Sequence, residues 1–581
     1  MDFAQVSLCL KGNFLLLAEL CLVAGLLVLA ASAAPPRWLQ SSWRQWLRLA
    51  QRPAAALLFP AVLALSLRLL LLPWAEVPYP GSARDEYSYL LSADTFASGR
   101  LTNPPHPHFR HFESPHVLFQ PTYSSKYPPG QGLALGLGQV LGHPWIGVLL
   151  SIAAMIVAAG WAMRAWLPPP YALLGATLLA LRVGVMSYWA NSYWGGAIGA
   201  TGGALLIGAL PRLIKKPTPF AGAMLGLGLG ILAISRPFEG AIFSVLMLCL
   251  WAFLFVRHGG WRQLRKLGPA IAGGAVALGI VLVWLGYFQA AVTGDPLKAP
   301  YAAWRDTYSR FETFIWETPV ADYNPVNEGY ARFINWVIES HEEYASPFSR
   351  LARIGGQFIA FFWGPMLTLF LVLAVPWIFK ELRTRLLLLA IAGSVLVVAV
   401  VIDLWTFSHY FAPLTVPMTI AGVQAVRIVI AAMRRRFGGP RPGYVILLFG
   451  LPVVLLAMNL TGLFLRNTGR DWTTPTYFTG WCCFSFPSER ARVEQTLNAS
   501  DGRHLVFVRH PAEGFWGAEW VYNGASIDDG KIVWAREVSP ESDCELRRYY
   551  SDRHVWVTYV HERPAHATPF PVSGCTIPGG G

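Results

Sequence analysis

A chain of 581 residues that is 54% hydrophobic and only 14% charged cannot cover its own surface with polar groups, since soluble domains carry about 25% charged residues. That excludes a wholly soluble protein and makes a bilayer part of its solvent. The net charge of +13 sits in short segments between apolar runs, the pattern of cytoplasmic loops rather than of a nucleic-acid surface, so no nucleic-acid partner is expected.

The first apolar run, Asn13 to Ala34, ends in Ala31-Ser32-Ala33-Ala34, like a signal-peptide cleavage site. It is long enough to span, and basic residues follow it instead of preceding it. It reads as a retained helix whose N-terminus lies outside. A span needs about 20 apolar residues. By that measure the candidates are 14–34, 54–73, 144–166, 170–189, 195–213, 219–234, 240–257, 268–290, 352–378, 385–404, 410–432 and 444–465. The Gly-rich segment 130–142 is too short and reads as re-entrant, interfacial or an extension of the third span.

Every second loop is basic and nearly free of acids. These loops carry Arg37/Arg44/Arg48/Arg52, Arg212/Lys215/Lys216, Arg257/Arg262/Arg265/Lys266, Lys380/Arg383/Arg385 and Arg434/Arg435/Arg436/Arg441. That alternation assigns them to the cytoplasm. The acidic loops then face outward, including 74–130 and the aromatic-rich 291–351 (Tyr301, Trp304, Trp316, Tyr330, Trp336). The expected division is a first helix and basic loop over 1–53, a transmembrane domain over 54–465 and an exported domain over 466–581.

In that tail, 505–509, 532–536 and 555–559 read as strands, and 490–497 and 544–550 as short helices, giving a small α/β domain. Cys9, Cys21 and Cys249 lie in or near apolar runs, whereas Cys482, Cys483, Cys544 and Cys575 lie in the tail. No zinc spacing occurs, and one disulfide is expected if the tail is exported. The recurrences Gly222/Gly226/Gly230 and Gly195/Gly199/Gly203 read as close helix packing, not as nucleotide loops.

Two features carry chemistry. Arg84-Asp85-Glu86-Tyr87-Ser88-Tyr89 lies just outside the second span. Its acids suit removal of a proton from an incoming hydroxyl, or simply a helix N-terminus. Lys126-Tyr127-Pro128-Pro129-Gly130 lies where the loop returns to the membrane. There Lys126 either neutralises a lipid-linked phosphate or snorkels at the interface.

Arg236-Pro237-Phe238-Glu239 marks an outward helix junction, where Arg236 suits a phosphate and Glu239 is its local partner. His106, His108, His111, Glu113 and His116 are sugar-contact or loop hydrogen-bonding groups, with zinc ligation the less frequent use. Asp403 either orients His409 or caps a helix end.

Together, the Asp-Glu pair after an early helix and the Lys-x-Pro-Pro pattern closing the first large loop resemble GT-C glycosyltransferases. The nearest likeness is to family 39-like members, the protein mannosyltransferases and lipid A aminoarabinose transferases. It covers roughly residues 54–430, most clearly 84–145. With the twelve or so spans counted from hydropathy, the resemblance implies a GT-C-like polytopic α-helical membrane protein of the bacterial inner membrane. It also implies a polyprenyl-phosphate-sugar donor and a glycan, lipid or protein acceptor.

By position, Asp85 matches the catalytic acid and Glu86 its neighbour. Lys126 matches the lysine before the prolines, with Tyr127 inserted. His409-Tyr410-Phe411-Ala412-Pro413 matches a late Tyr-x-x-Pro segment. The second acid that many members carry near the fourth span is missing from Tyr188–Trp194. A divalent cation is therefore left open and no cofactor is assigned. The tail resembles a domain on many bacterial proteins of this type and adds no activity. The rival classes are a flippase for a lipid-linked saccharide, which would want ionisable groups within its spans, and a non-catalytic envelope assembly protein.

Overall fold

A computed structural model describes residues 14–80, 84–257, 266–308, 335, 347–378, 380, 382–401, 407–436, 443–467, 489–509, 520–560, 562 and 564–571. Each apolar run read from the sequence contains helix. α1 (Phe14–Ser32) is followed by α2 (Arg37–Gln51) and α3 (Pro53–Leu70). The segment 37–52, expected as a basic loop, is instead an amphipathic helix. Trp43 meets Tyr444 edge-on at 5.9 Å and Trp46 meets Phe449 at 5.9 Å. The arginines occupy the opposite side, so the segment lies along the bundle end rather than looping free.

The first loop holds α4 (Arg84–Ala97), a two-stranded ribbon of β1 (Val117–Leu118) and β2 (Ser124–Ser125), and α5 (Pro129–Val140). The bundle continues with α6 (Pro144–Trp166), α7 (Pro169–Val183), α8 (Ala197–Lys215), α9 (Pro219–Ser235), α10 (Pro237–Arg257) and α11 (Gly268–Thr293). After α12 (Pro300–Tyr308) come α13 (Pro347–Gln357), α14 (Gly364–Ile378), α15 (Leu382–Val401), α16 (Thr415–Arg436) and α17 (Tyr444–Asn467).

Among the described residues, eight helices are long and apolar enough to cross a membrane. A ninth arises if the pair Arg350–Phe362 and Gly364–Ile378, bent by 108°, is one span. Pro169–Val183, Pro219–Ser235 and Thr384–Val398 are apolar but shorter. Two differences from the sequence reading follow. The run 170–189 stops at Val183 because Gly184 begins a coil that folds inward, buried from Val185 to Trp194. The run 352–378 is broken at Trp363 by a π-helical turn, Phe358–Phe362, and by Gly364 at φ +63°.

The glycine recurrence in α9 serves close packing on α11. A Cβ on Gly222 would fall 1.8 Å from the Ala270 carbonyl oxygen, and one on Gly226 2.1 Å from that of Gly274. Gly226→Leu should therefore push α11 away from α9 and destabilise the bundle by about 1–3 kcal/mol or more. A lowered midpoint in thermal unfolding of the detergent-purified protein would register it, and an unchanged midpoint would contradict the packing.

The C-terminal segment forms α18 (Glu489–Ala499), β3 (Arg503–Arg509), β4 (Ile532–Ala535), α19 (Pro540–Tyr549), β5 (Arg553–Tyr559) and β6 (Ala567–Pro569). The strand order is β4-β3-β5-β6, parallel except for β6. Side chains alternate across β3. Val506 and Val508 pack with Val493, Leu497 and Trp534, whereas Leu505 and Phe507 share a core with Leu91, Phe112, Val117, Phe119 and Tyr123 of the first loop. The sheet thus sits directly on the first loop. Cys544 is disulfide-bonded, with its partner outside the described residues, as are Asp403 and Trp316, Tyr330 and Trp336.

Candidate active site at the mouth of the bundle

α4 starts at Arg84, with Asp85 and Glu86 in its first turn, where the helix dipole favours carboxylates. The two acids have different fates. Glu86 is buried and its Oε1 accepts the Tyr193 backbone N–H at 3.0 Å, which ties α4 to the inward coil after α7. Asp85 keeps a side chain 28% exposed. Its Oδ1 accepts a hydrogen bond from the Tyr127 hydroxyl, and its Oδ2 lies 3.9 Å from His116 Nε2.

The β1–β2 ribbon delivers Lys126 and Tyr127 to that carboxylate. Ser88 Oγ donates to the His116 carbonyl at 2.6 Å and lies 2.7 Å from Ser125 Oγ, pinning the ribbon to α4. His116 takes φ +69°, a left-handed conformation that a non-glycine residue adopts at a cost. Pro128 and Pro129 then cap and start α5, because proline presets φ and has no N–H to waste at a first turn.

Lys126 is buried in a cage of rings. Its Nζ stands 3.7 Å from the Trp304 centroid, 4.9 Å from that of Tyr301 and 5.2 Å from that of Tyr127. Burial pushes its ammonium down to about 7, with Asp85 pulling the other way. The rings supply cation–π attraction in place of lost water.

The second cation comes from the α9–α10 junction. Gly130 brings the start of α5 against Ile234 and Ser235 so closely that a Cβ would lie 2.9 Å from the Ile234 carbonyl oxygen. Next along the chain, the Arg236 guanidinium lies 5.0 Å from the Tyr410 ring centroid and 3.8 Å from Glu239. Tyr410 stacks on His409 at 5.0 Å, and His409 Nδ1 is 3.1 Å from the Tyr188 hydroxyl. One ring links the two halves. Tyr89 stacks on Tyr127 at 4.5 Å, and its hydroxyl is pushed up to about 12 by burial, with Arg236 lowering it and Asp85 and Glu239 raising it. Asp85, Lys126, Arg236, His409 and Tyr410 therefore share one neighbourhood.

His111 and Glu113 lie elsewhere. His111 is buried under the C-terminal sheet, with Nδ1 2.8 Å from the Arg536 carbonyl oxygen and Nε2 2.8 Å from Ser542 Oγ. Glu113 accepts from the Tyr308 hydroxyl at 3.1 Å, and its own carbonyl accepts from Arg536 Nε at 3.1 Å. His106 engages Asp528 at 3.1 Å. These side chains brace the loop against the sheet. No group of three or more His, Cys, Asp or Glu side chains placed to hold a metal occurs among the described residues.

Further braces join Asp94 to the Ala525 N–H at 2.6 Å and the Tyr123 hydroxyl to the Asn523 carbonyl at 2.9 Å. Deleting 468–581 should therefore uncover the loop core and make 100–125 the first region cut by protease in the membrane-embedded protein. Equal resistance with and without the segment would refute that support.

Sequence reasoning missed Tyr127 as the partner of Asp85, the Trp304/Tyr301 cage and Tyr188. The aromatic content of 291–351 was the only available signal for the cage.

No protein-family model matches the chain, and no curated protein matches it by sequence. Among solved structures it is similar to ArnT of Cupriavidus metallidurans bound to undecaprenyl phosphate. That likeness has 12% identity and a TM-score of 0.49, and covers 86% of this chain and 92% of that one. The chain is also similar to the Archaeoglobus fulgidus oligosaccharyltransferase in complex with Zn and sulfate, with 12% identity, a TM-score of 0.46, and 87% and 67% of the two chains covered. Similarity to the same enzyme tethered with an acceptor peptide has 11% identity, a TM-score of 0.43 and coverage of 80% and 62%.

Proposed function

We propose that the chain is a membrane glycosyltransferase moving a sugar from a polyprenyl-phosphate donor to a hydroxyl of an extracytoplasmic glycan, lipid or protein, with inversion. The observation that carries this reading is the pairing of a partly exposed carboxylate, Asp85, with a buried lysine, Lys126, and a half-buried arginine, Arg236, where the first loop meets the bundle.

Asp85 takes the acceptor proton as the hydroxyl oxygen attacks the anomeric carbon. The bond from that carbon to the phosphate oxygen breaks, and the lipid phosphate leaves with the electron pair. Lys126 and Arg236 meet the charge that grows on the phosphate, where fixed cations act most strongly. Tyr127 orients the Asp85 carboxylate by donating to it, and Glu86 fixes the start of α4. His409 and Tyr410 back the Arg236 side of the site. The acidic loops and the C-terminal sheet face outward, in a bacterial inner membrane, because the alternating loops are basic.

Binding of a polyprenyl-phosphate-hexose tests the phosphate subsite, and Lys126 gives the test a pH signature. A phosphodiester does not titrate between pH 5 and 9. Lys126, held down to about 7 by burial, is charged below that pH and neutral above it. An anion bound beside it raises its pKa, so binding takes up a proton above pH 7. Affinity should fall towards tenfold per pH unit from pH 7 to 9, and Lys126→Arg should flatten the profile. The effect on folding has the opposite sign. The unfolded chain holds this proton up to its ordinary pKa, so the Lys126 contribution to stability improves as pH rises through that window. Affinity independent of pH in the unmodified protein would remove Lys126 from the phosphate subsite.

A further inference from the structure

A polar cavity shares no lining residue with the candidate active site. It has a volume of about 340 Å³ and is lined by the end of α6 and the following turn, the start of α15 and the middle of α16. Volumes of about 300–1,000 Å³ are typical of small-molecule sites. Trp166, Leu387 and Ile420 form apolar walls, and Thr384, Gln424 and Arg427 bring polar groups to them. α16 leaves the candidate active site at Thr415, directly after His409 and Tyr410. At 1.5 Å per residue, Arg427 sits about 18 Å further along the helix. The cavity thus lies at the turn between α6 and α7 and at the start of α15, away from the end of α16 that carries His409 and Tyr410.

Its electrostatics point one way. Arg427 is a guanidinium about three helical turns beyond Thr415, set nine residues before the end of α16 at Arg436. A charge at that depth in an apolar bundle is costly and calls for a partner. Two helix N-termini converge on the same space. The cap of α7, Pro168, lines the cavity, and so does Thr384 in the first turn of α15. Helix N-termini carry partial positive charge and favour anions. No carboxylate is among the lining residues. The polar groups stand beside the apolar wall of Trp166, Leu387 and Ile420, so a ligand's phosphate is met by the former and its apolar remainder by the latter.

We propose that this cavity is a binding site for a phosphate ester, with an anionic membrane phospholipid as its source, Arg427 holding the phosphate with bidentate geometry and Gln424 and Thr384 completing the contacts. The site is separate from the catalytic proposal and does not depend on it.

Native mass spectrometry of the full detergent-purified chain tests this with phosphatidylglycerol, phosphatidylcholine and inorganic phosphate as probes. The expected result is retention of phosphatidylglycerol at least tenfold above phosphatidylcholine, loss of that preference in Arg427→Gln, and its persistence in Arg257→Gln, an exposed arginine at the end of α10. Displacement of the lipid by inorganic phosphate, dependent on Arg427, keeps the phosphate site and makes its source a soluble anion. Equal retention of the two lipids, or an Arg427→Gln protein that binds as the parent does, overturns the proposal. Should Arg427→Gln fail to fold, a photoactivatable phosphatidylglycerol on the unmodified protein decides. Crosslinks to 165–168, 384–387 or 420–427 sustain the site, and crosslinks only elsewhere refute it.

Discussion

Asp85→Asn should lower sugar transfer by about 10²–10⁴-fold, the usual contribution of a positioned general base, while the protein still binds a polyprenyl-phosphate-hexose. Asparagine keeps the size of the side chain and an acceptor for the Tyr127 hydroxyl, so the ribbon should stay in place and only proton removal should be lost. Glu86→Gln is the matched control. Its amide oxygen can still accept the Tyr193 N–H, the role Glu86 plays at 3.0 Å. Its loss of activity should be much smaller than that of Asp85→Asn. The acceptor is read out by mass spectrometry of envelope glycans and lipids from cells carrying each variant. A product that depends on the protein and persists undiminished with Asp85→Asn would remove Asp85 as the base. Lipid-linked sugar moved across vesicles with no new glycosidic bond would favour a transporter instead.

The parts of this site that were legible in the sequence are those whose signal is local. Asp85 and Glu86 open a helix, and Lys126 precedes two prolines that set the next one. The strands of the C-terminal sheet likewise announce themselves by β-branched and aromatic runs, and β3, β4 and β5 appear where such runs occur. What was illegible depends on pairing at long range. Tyr127 finds its carboxylate 42 residues away, and Trp304 reaches Lys126 from a loop whose pattern is merely aromatic. His111 read as a sugar-contact or loop hydrogen-bonding group, and its partners come from 425 and 431 residues further on. Hydropathy also carried one span past its end. Met186, Tyr188 and Trp189 are buried and apolar, but they fill a coil. Asn191 donates to the carbonyls of Val185 and Ser187 there, satisfying backbone groups that helix would otherwise pair.

The largest expected effect on stability comes from a pair that the sequence reading passed over. Glu19 is the single acid in α1, and its partner Arg182 lies 163 residues later at 3.0 Å from both carboxylate oxygens. Both side chains are buried. Arg182 also donates to the carbonyls of Phe361 and Ala360, and Glu19 accepts the Met366 N–H at 3.1 Å. The pair therefore satisfies backbone groups freed where α13 and α14 meet at 108°. A Cβ at Gly364 would fall 2.1 Å from the guanidinium, so the bend and the charge pair fit one another.

Glu19→Ala should cost about 3–5 kcal/mol, because it strands a buried guanidinium. The double change Glu19→Leu with Arg182→Met should recover much of that loss, since well-packed apolar side chains replace buried ion pairs at little cost. Thermal unfolding in detergent separates the two outcomes, and a Glu19→Ala protein as stable as the parent would show that the pair is not coupled. The consequence extends to chemistry. Phe361 packs on Tyr188 at 5.4 Å, and Tyr188 meets His409 at 3.1 Å. Loosening the bend should therefore reach the candidate active site, and Glu19→Ala should lose transfer below its melting point, whereas the double variant should regain stability before it regains activity, because only the original pair holds the Ala360 and Phe361 carbonyls in register beneath Tyr188.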